Sequence, residues 1–429
     1  MPDVRSAAGS SPAIAPGDLD RVVAEILQAT PLIDIHTHLF PPGFGALASS
    51  GIDELLTYHY LEAELFRFAR VTPDAYWGLD VRARADVIWQ TLFVERTPLS
   101  EAARGVVAVL DALGLDSRAP LAELRDYFRA QPPADHVRRV LQLAGVSDVV
   151  MTNDPLDPDE RAVWEAGIAP MAGFHAALRL DRILNDWDAH RAPLTAAGFD
   201  VAADAGGGTT SAIRRFLSEW ATRVQPAYMA VSLPDTFDYP VDDIRTRLLR
   251  DAVLPACREL RIPMALMIGV RRQVNPRLRL AGDASGMADL GAVGRLCADF
   301  PDNRFLVSVL SRENQHELCV YARKFGNLVP FGCWWFLNNP SIVEEITRER
   351  LEMLGTSFIP QHSDARILEQ LIYKWRNTRR TIGPILAGAY RLLAEDGRPV
   401  TRAAIERDVR TLFRTNFENL TGTHATAAR

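Results

Sequence analysis

The 429-residue chain has few cysteines, no long apolar run and no excess of basic residues. Its four cysteines stand apart without CxxC spacing, at Cys257, Cys297, Cys319 and Cys333. This pattern is typical of a reduced, cytoplasmic protein rather than of a disulfide framework. No apolar run reaches the roughly 18 residues of a spanning helix, which argues against a membrane protein. A formal net charge of −6 argues against a nucleic-acid partner.

Lysine is almost absent from the sequence. It occurs only at Lys324 and Lys374, whereas lysine and arginine together number 48. Both lysines fall in predicted helices, away from the predicted strand ends. Any chemistry that needs a lysine therefore has only two candidates.

The N-terminal residues MPDVRSAAGSSPAIAPGD are small and polar. They lack the apolar stretch of a signal peptide. We therefore expect a disordered leader over residues 1–17, followed by a single domain over residues 18–429.

Short apolar, β-branched runs recur along that domain and alternate with helical patterns. There are eight: LIDIH (32–36), DVVMT (148–152), APMAGF (169–174), YMAVSL (228–233), MALMIG (264–269), FLVSVL (305–310), LVPFG (328–332) and FIPQH (358–362). Continuous apolar runs are typical of parallel strands buried on both faces. Eight such strands alternating with helices predict an α/β fold, a (β/α)8 TIM-type barrel.

The spacing of the predicted strands is uneven. More than 100 residues separate the first two, and they are rich in helical patterns such as IDELLTYHYLEAELFRFAR. We interpret residues 45–140, approximately, as a helical insertion after strand 1. It would cover the carboxyl face of the barrel, where barrel enzymes build their active sites. Residues 383–418 predict extra C-terminal helices.

The motif DIHTH at the end of the first predicted strand offers two metal ligands. Side chains alternate along a strand, so His36 and His38 point in the same direction. Strands one and eight are neighbours in a closed barrel, which brings Asp364 within reach of both. Imidazole and carboxylate suit Zn²⁺, with Mn²⁺ or Fe²⁺ as alternatives. His362 is a lesser ligand candidate, and Asp364 could instead be the N-cap of a following helix.

Seven motifs occur in an order and spacing that resemble the uronate (glucuronate) isomerases of the amidohydrolase superfamily. They are DIHTHLF, HYLEAELFR, TNDP, LRLDRIL, LMIGVRRQVN, FGCWWFLNNP and HSDAR. The resemblance covers residues 30–380, approximately. Its most specific part is WWF followed some thirty residues later by D-x-R. The chain resembles a divergent member of that family.

The resemblance implies roles for nine residues of this sequence. Metal binding falls to His36, His38 and Asp364, catalysis to Tyr60, Asp364 and Arg366, and substrate binding to Arg179, Arg272, Asn275 and Trp334, with Trp335 as a weaker match. His59 is the tenth candidate, a substrate-binding residue, because it neighbours Tyr60 and could orient it or the substrate. The resemblance also implies a small-molecule uronate as substrate. The sequence leaves the oligomeric state open, a homo-oligomer included.

The sequence departs from the family pattern at strand five. Many uronate isomerases have a histidine where this chain has Met267, and methionine is a poor ligand for a hard or borderline ion. Strand four has no lysine, which removes the carbamate-bridged binuclear centre of many amidohydrolases. We therefore expect a mononuclear site.

The resemblance thus implies an intramolecular oxidoreductase, a metal-dependent aldose–ketose isomerase. It would interconvert D-glucuronate with D-fructuronate and D-galacturonate with D-tagaturonate. One alternative uses the same ligands: a mononuclear hydrolase, lactonase or decarboxylase acting on a carboxylated, sugar-like substrate. A second alternative is a barrel that binds a sugar acid without turnover.

Overall fold

The computed structural model describes residues 12–68 and 70–422. Its strands are β1 (Leu32–Thr37), β2 (Val146–Asn153), β3 (Phe174–Arg179), β4 (Met229–Pro234), β5 (Met264–Arg271), β6 (Ala284–Ser285), β7 (Phe305–Val309) and β8 (Leu328–Pro330). Seven strands form a parallel sheet in the order β1-β2-β3-β4-β5-β7-β8, and β6 pairs antiparallel with β5. This curled parallel sheet, surrounded by helices, confirms the predicted (β/α)8 architecture.

The segment predicted as the eighth strand closes the sheet without forming a regular strand. Ile359 makes an isolated parallel bridge with Phe331, and its N–H donates to the carbonyl of Pro330 at 3.0 Å. Pro360 follows, and a proline has no N–H to continue a ladder. The predicted strand over residues 358–362 is therefore wrong in type, although its position beside β8 is correct.

The third predicted strand also needs correction. The observed strand begins at Phe174, whereas the predicted run covered residues 169–174. Gly173 has φ +86°, and the N–H of Phe174 closes a turn on the carbonyl of Met171 at 3.0 Å. A turn that needs a left-handed glycine cannot lie inside a strand. The shift places Arg179 as the last residue of β3.

The helices fall into four groups. Before β1 lies α1 (Leu19–Ala29), and between β1 and β2 lie α2 (Ile52–Leu56), α3 (His59–Leu65), α4 (Pro73–Trp77), α5 (Val81–Trp89), α6 (Glu101–Leu113), α7 (Leu121–Arg129) and α8 (Pro133–Ala144). Around the sheet lie α9 (Pro158–Glu165), α10 (Asp181–Asn185), α11 (Trp187–Ala196), α12 (Thr209–Val224), α13 (Ile244–Leu248), α14 (Leu254–Leu260), α15 (Leu290–Asp299), α16 (Gln315–Ala322) and α17 (Pro340–Leu354). After the sheet come α18 (Gln370–Glu395), α19 (Arg402–Arg410) and α20 (Asn416–Thr421). Short π-helical segments extend three of them, at Gln90–Val94, Leu249–Val253 and Thr411–Thr415.

The long helix α18 connects the barrel to the helices that precede β2. It packs against α1, α6, α8 and α17. Its Trp375 is buried and donates from Nε1 to the Asp34 carboxylate on β1 at 2.8 Å. Burial of a large aromatic ring together with a satisfied polar atom anchors α18 beneath the first strand.

Residues 1–11 of the predicted leader lie outside the described residues. In the described remainder, the N–H of Ile14 donates to the carbonyl of Val400 at 2.8 Å. The boundaries of the domain and of its helical insertion stay predictions. Across residues 12–68 and 70–422, no helix is long and apolar enough to cross a membrane.

The close contact between Gly332 and the side chain of His362 provides a test of the fold. Gly332 has φ +65°, and a Cβ at this position would lie 1.9 Å from Cδ2 of His362. We expect Gly332→Ala to lower the free energy of unfolding by about 2–4 kcal/mol, since backbone strain adds to overpacking. Denaturant titration measures this change.

The matched control is Gly114→Ala. Gly114 is left-handed, with φ +81° and ψ +27°, and a Cβ there meets no atom within 4 Å. It should cost only the strain of the left-handed conformation, about 1 kcal/mol. Equal losses for both variants would contradict the packing of His362 against Gly332.

Candidate active site

A cavity at the carboxyl ends of the strands collects most of the residues singled out in the sequence. Eight of the ten line it: His36, His38, His59, Arg179, Arg272, Trp334, Asp364 and Arg366. This is the end of a barrel where active sites are found. The cavity is also lined by residues that the sequence did not indicate: Thr152, Asp181, Ala230 and Ser232.

Three side chains in the cavity form a group with metal-ligand geometry. Nε2 of His36 lies 3.6 Å from Oδ1 of Asp364, and Nε2 of His38 lies 3.4 Å from the same oxygen. One ligand atom from each residue lies within 4.8 Å of the other two. The strand alternation that predicted a common direction for the two histidines therefore holds, and the carboxylate approaches them from the closing segment.

The outer nitrogens of both imidazoles are held by hydroxyl groups. Nδ1 of His36 lies 2.9 Å from the hydroxyl of Tyr228, which itself donates to the carbonyl of Ile35 at 2.8 Å. Nδ1 of His38 lies 2.9 Å from the hydroxyl of Thr152, which donates to the carbonyl of Thr37. A hydroxyl that donates its hydrogen bond to a carbonyl can only accept a hydrogen bond from the ring nitrogen. Both histidines are therefore protonated on Nδ1, and both Nε2 lone pairs face Asp364.

The electrostatics of this group favour a cation between its members. Burial lowers the pKa of His36 and of His38 well below the usual value, and for His38 the charges of Arg366 and Arg179 act in the same direction. Both rings are therefore neutral near pH 7. Oδ1 of Asp364 is buried and has no hydrogen-bond partner among the described residues. Two neutral imidazoles and a carboxylate form a donor set that fits a divalent metal ion.

Asp364 is positioned by its own backbone. It has φ +53°, its N–H donates to the carbonyl of His36 at 3.2 Å, and the N–H of Ser363 donates to Oδ1 of Asp34 at 3.0 Å. The alternative role of Asp364 as a helix N-cap is wrong, because α18 begins only at Gln370. Oε1 of Gln370 instead accepts from the N–H of Arg366.

His362 is packed rather than exposed to the ligand group. Its ring centroid lies 5.1 Å from that of His36 and 5.4 Å from that of Phe331. Burial lowers the pKa of His362 to about 4, so the ring is neutral. It forms part of the barrel interior beneath His36 and does not belong to the group of possible ligands.

The three predicted arginines all line the cavity, and neighbouring carboxylates hold two of them. Arg179 is fixed by Asp181, which accepts from Nε at 2.8 Å and from Nη2 at 3.1 Å. Arg272 donates from Nη1 to Asp283 at 2.6 Å, and its side chain is 54% exposed. Arg179 is thus a preorganised charge at the end of β3, whereas Arg272 lies at the rim.

The helix α3 supplies an aromatic and imidazole wall. His59 is buried and lines the cavity, and neither of its ring nitrogens has a hydrogen-bond partner in the described chain. Tyr60 does not line the cavity, but its ring centroid lies 4.5 Å from that of His59. Burial raises the pKa of Tyr60 well above its usual value, and Tyr58 and Asp364 act in the same direction. Tyr60 is therefore a neutral phenol behind His59.

Asn275 does not join the other predicted residues. It is exposed in the loop after β5, where its N–H donates to the carbonyl of Gly282 at 3.2 Å. The loop folds back through β6 and carries Asn275 away from the cavity lining.

Both tryptophans of the WWF motif line the cavity. Trp335, the weaker match in the sequence, has φ +47°, in the left-handed region. Its ring lies 5.9 Å from the guanidinium carbon of Arg272, a cation–π distance.

Met267 stands in the cavity wall on β5. Its side chain is buried, and it lines the same cavity as the histidines. Sequence reasoning therefore placed it correctly beside the candidate metal centre. The group of possible metal ligands in the described chain is His36, His38 and Asp364, and Met267 is not among them.

The fold and the cavity define a (β/α)8-barrel protein with a candidate metal centre at the carboxyl ends of its strands. A solved uronate isomerase from Bacillus halodurans C-125 is 48% identical to this chain, covering 96% of this chain and 98% of that one, with a TM-score of 0.94. The chain belongs to the uronate isomerase family, which confirms the resemblance found in its motifs.

Two further solved structures share the fold at low identity. A glucuronate isomerase from Caulobacter crescentus has 16% identity and a TM-score of 0.76, covering 97% of this chain and 98% of that one. A uronate isomerase from Thermotoga maritima has 14% identity and a TM-score of 0.75, covering 94% and 97%. No protein-family model and no curated protein matches the chain.

The hydroxyl that holds Nδ1 of His36 gives a prediction about metal affinity. Tyr228→Phe keeps the ring but removes that hydroxyl. We expect metal affinity to fall by roughly 10- to 100-fold, the usual effect of losing a group that orients a ligand. Competition with a chromogenic chelator measures it.

Tyr127→Phe is the matched control, because the Tyr127 hydroxyl is buried without a hydrogen-bond partner among the described residues. Its metal affinity should equal that of the unmodified protein. An unchanged affinity for Tyr228→Phe would mean that the tautomer of His36 is fixed in another way.

Proposed function

We propose that this protein is a metal-dependent isomerase that interconverts D-glucuronate with D-fructuronate and D-galacturonate with D-tagaturonate. The observation that carries the proposal is that a uronate isomerase matches nearly the whole chain at 48% identity. The cavity lined by eight of the ten predicted site residues, which contains the His36–His38–Asp364 group, supports it. The substrate is then a small sugar acid. The four free, buried cysteines are consistent with a reducing, cytoplasmic location.

We further propose one divalent ion per chain, held by His36, His38 and Asp364. Zn²⁺ suits two imidazoles and a carboxylate, and Mn²⁺ or Fe²⁺ are alternatives. When bound, such an ion polarises a carbonyl and holds substrate oxygens. β4 contains no lysine to bridge a second ion.

The isomerisation moves a hydrogen from C2 of the open-chain aldose to C1. A base removes the proton at C2, the electron pair forms the C1–C2 double bond of an enediol, and O1 takes up a proton. Asp364 faces the cavity and is the proposed base. The neutral phenol of Tyr60 lies behind His59 and outside the cavity lining, and it is the proposed proton donor to O1 through one water molecule. The positive charge of Arg366 stabilises the oxyanion that develops between these steps.

The substrate carboxylate requires a positive group away from the reacting carbons. Arg179 is the proposed partner of the carboxylate. Its Nε and Nη2 donate to Asp181, and Nη1 takes no part in this ion pair. A preorganised guanidinium loses little freedom on binding a carboxylate. Arg272, at the rim over Trp335, is the second proposed contact.

No observation favours the hydrolase, lactonase or decarboxylase alternative, and none favours binding without turnover. The deciding experiment is proton NMR of the metal-loaded protein with D-glucuronate and, separately, D-galacturonate in deuterated water. A ketouronate of unchanged heavy-atom composition, with deuterium entering at C1, is expected. A product that has gained a water would support hydrolysis. Retained metal without any product would support a binding protein.

Metal content tests the proposed ligands. We expect about one ion per chain, and three protein ligands leave open positions for water or substrate, as in catalytic sites. His36→Ala should remove most of the metal, whereas Met267→Ala should keep it and act on packing. Elemental analysis after dialysis measures both. Two ions per chain, or full content in His36→Ala, would contradict the proposed centre.

The proposed carboxylate contacts of Arg179 and Arg272 and the proposed oxyanion contact of Arg366 predict a loss of turnover when each arginine is replaced. Arg179→Met, Arg272→Met and Arg366→Met should each lower kcat/KM by roughly 10- to 100-fold, the effect of losing a charged hydrogen bond. Arg271→Met is the control, because Arg271 is exposed and pairs with Asp235 outside the cavity lining. If all three site variants resemble this control, the substrate assignment is wrong.

A further inference from the structure

Lys374 is a buried cation that the proposed chemistry has not used. Its side chain is 5% exposed, and its Nζ has no hydrogen-bond partner among the described residues. Nζ lies 5.5 Å from the ring centroid of Tyr60, 5.0 Å from that of Tyr373 and 3.6 Å from Oε1 of Glu101. The second lysine of the chain, Lys324, is exposed in a turn. The only buried lysine therefore lies against Tyr60.

The packing of α18 on α6 fixes this position. Gly105 on α6 permits the close approach, because a Cβ there would lie 2.8 Å from the ring of Tyr373. Glu101, in the first turn of α6, also accepts from Nδ2 of Asn377 at 3.4 Å. The ammonium group is thus enclosed by two aromatic rings and one carboxylate on fixed helices.

A cation in this place acts on the phenol in two ways. It attracts the electron-rich face of the ring, which orients the side chain. It also stabilises negative charge that develops on the hydroxyl oxygen when the phenol gives up its proton, and such effects are strong where water is excluded. An arginine would present a larger planar group that pairs in a fork with Glu101. A lysine presents a compact charge to both rings.

We propose that Lys374 is a positioning residue for the isomerisation, which acts through Tyr60 by orienting its ring and by stabilising its transient phenolate. The proposal rests on the proposed function and adds a residue outside the cavity lining. The protons balance, because the phenol gives its proton to O1 of the substrate through one water molecule and regains one from the O2 hydroxyl by the same route in the second half of the reaction.

A double-mutant cycle on the metal-loaded full chain separates this role from a structural one. Lys374→Met keeps the length of the side chain and removes the charge, and it should lower kcat by roughly tenfold with KM nearly unchanged. In a Tyr60→Phe background the same change should have no further effect, because the group on which Lys374 acts is gone. Lys324→Met is the control and should keep full activity.

Loss of the lysine leaves Glu101 partly buried without its partner. The variant Lys374→Met/Glu101→Gln removes both charges. Because the Glu101 carboxylate disfavours negative charge on Tyr60, this variant should show a fall in kcat no larger than that of Lys374→Met, with a normal melting temperature. Unchanged kcat in Lys374→Met would overturn the proposal. So would a fall in kcat on Lys374→Met that is as large in the Tyr60→Phe background as in the wild-type protein. A wild-type protein without uronate isomerase activity would instead overturn the proposed function, and this role with it.

Discussion

The candidate site depends on the hydrogen bonds that join the first strand to the segment closing the barrel. His38 N–H donates to the carbonyl of Ala365 at 2.7 Å, and Asp364 N–H donates to the carbonyl of His36 at 3.2 Å. Asp34 accepts from a backbone N–H located 329 positions away in the sequence. The ligand-bearing residues are themselves members of this ladder. Closure of the barrel and assembly of the metal-ligand group are therefore one structural event.

Burial and hydrogen bonding together give the site its charge distribution. The hydroxyls of Tyr228 and Thr152 fix the histidine tautomers, and burial keeps the rings neutral. The carboxylates of Asp181 and Asp283 hold the arginines that face the cavity. The same cavity thus offers imidazole lone pairs and guanidinium charge. This combination suits a substrate that offers oxygens to a metal ion and a carboxylate to arginine.

The sequence predicted those parts of the site that follow from local periodicity. The alternation of His36 and His38 and the adjacency of the first and last barrel segments were enough to place Asp364 beside them. Local periodicity could not predict the left-handed φ of Trp335, which brings a second indole into the cavity. It also could not indicate Tyr228, whose hydroxyl meets His36 across the barrel. Contacts between distant strands leave no local pattern in one sequence.

The proposed centre holds one metal ion through two imidazole nitrogens and a carboxylate, beside a methionine that does not bind it. X-ray absorption spectroscopy of the zinc-loaded protein tests this claim most directly. We expect two imidazole nitrogens at roughly 2.0–2.1 Å, with oxygen atoms completing the coordination shell. A sulfur neighbour from Met267, or a second metal at about 3.5–4 Å, would contradict the mononuclear site.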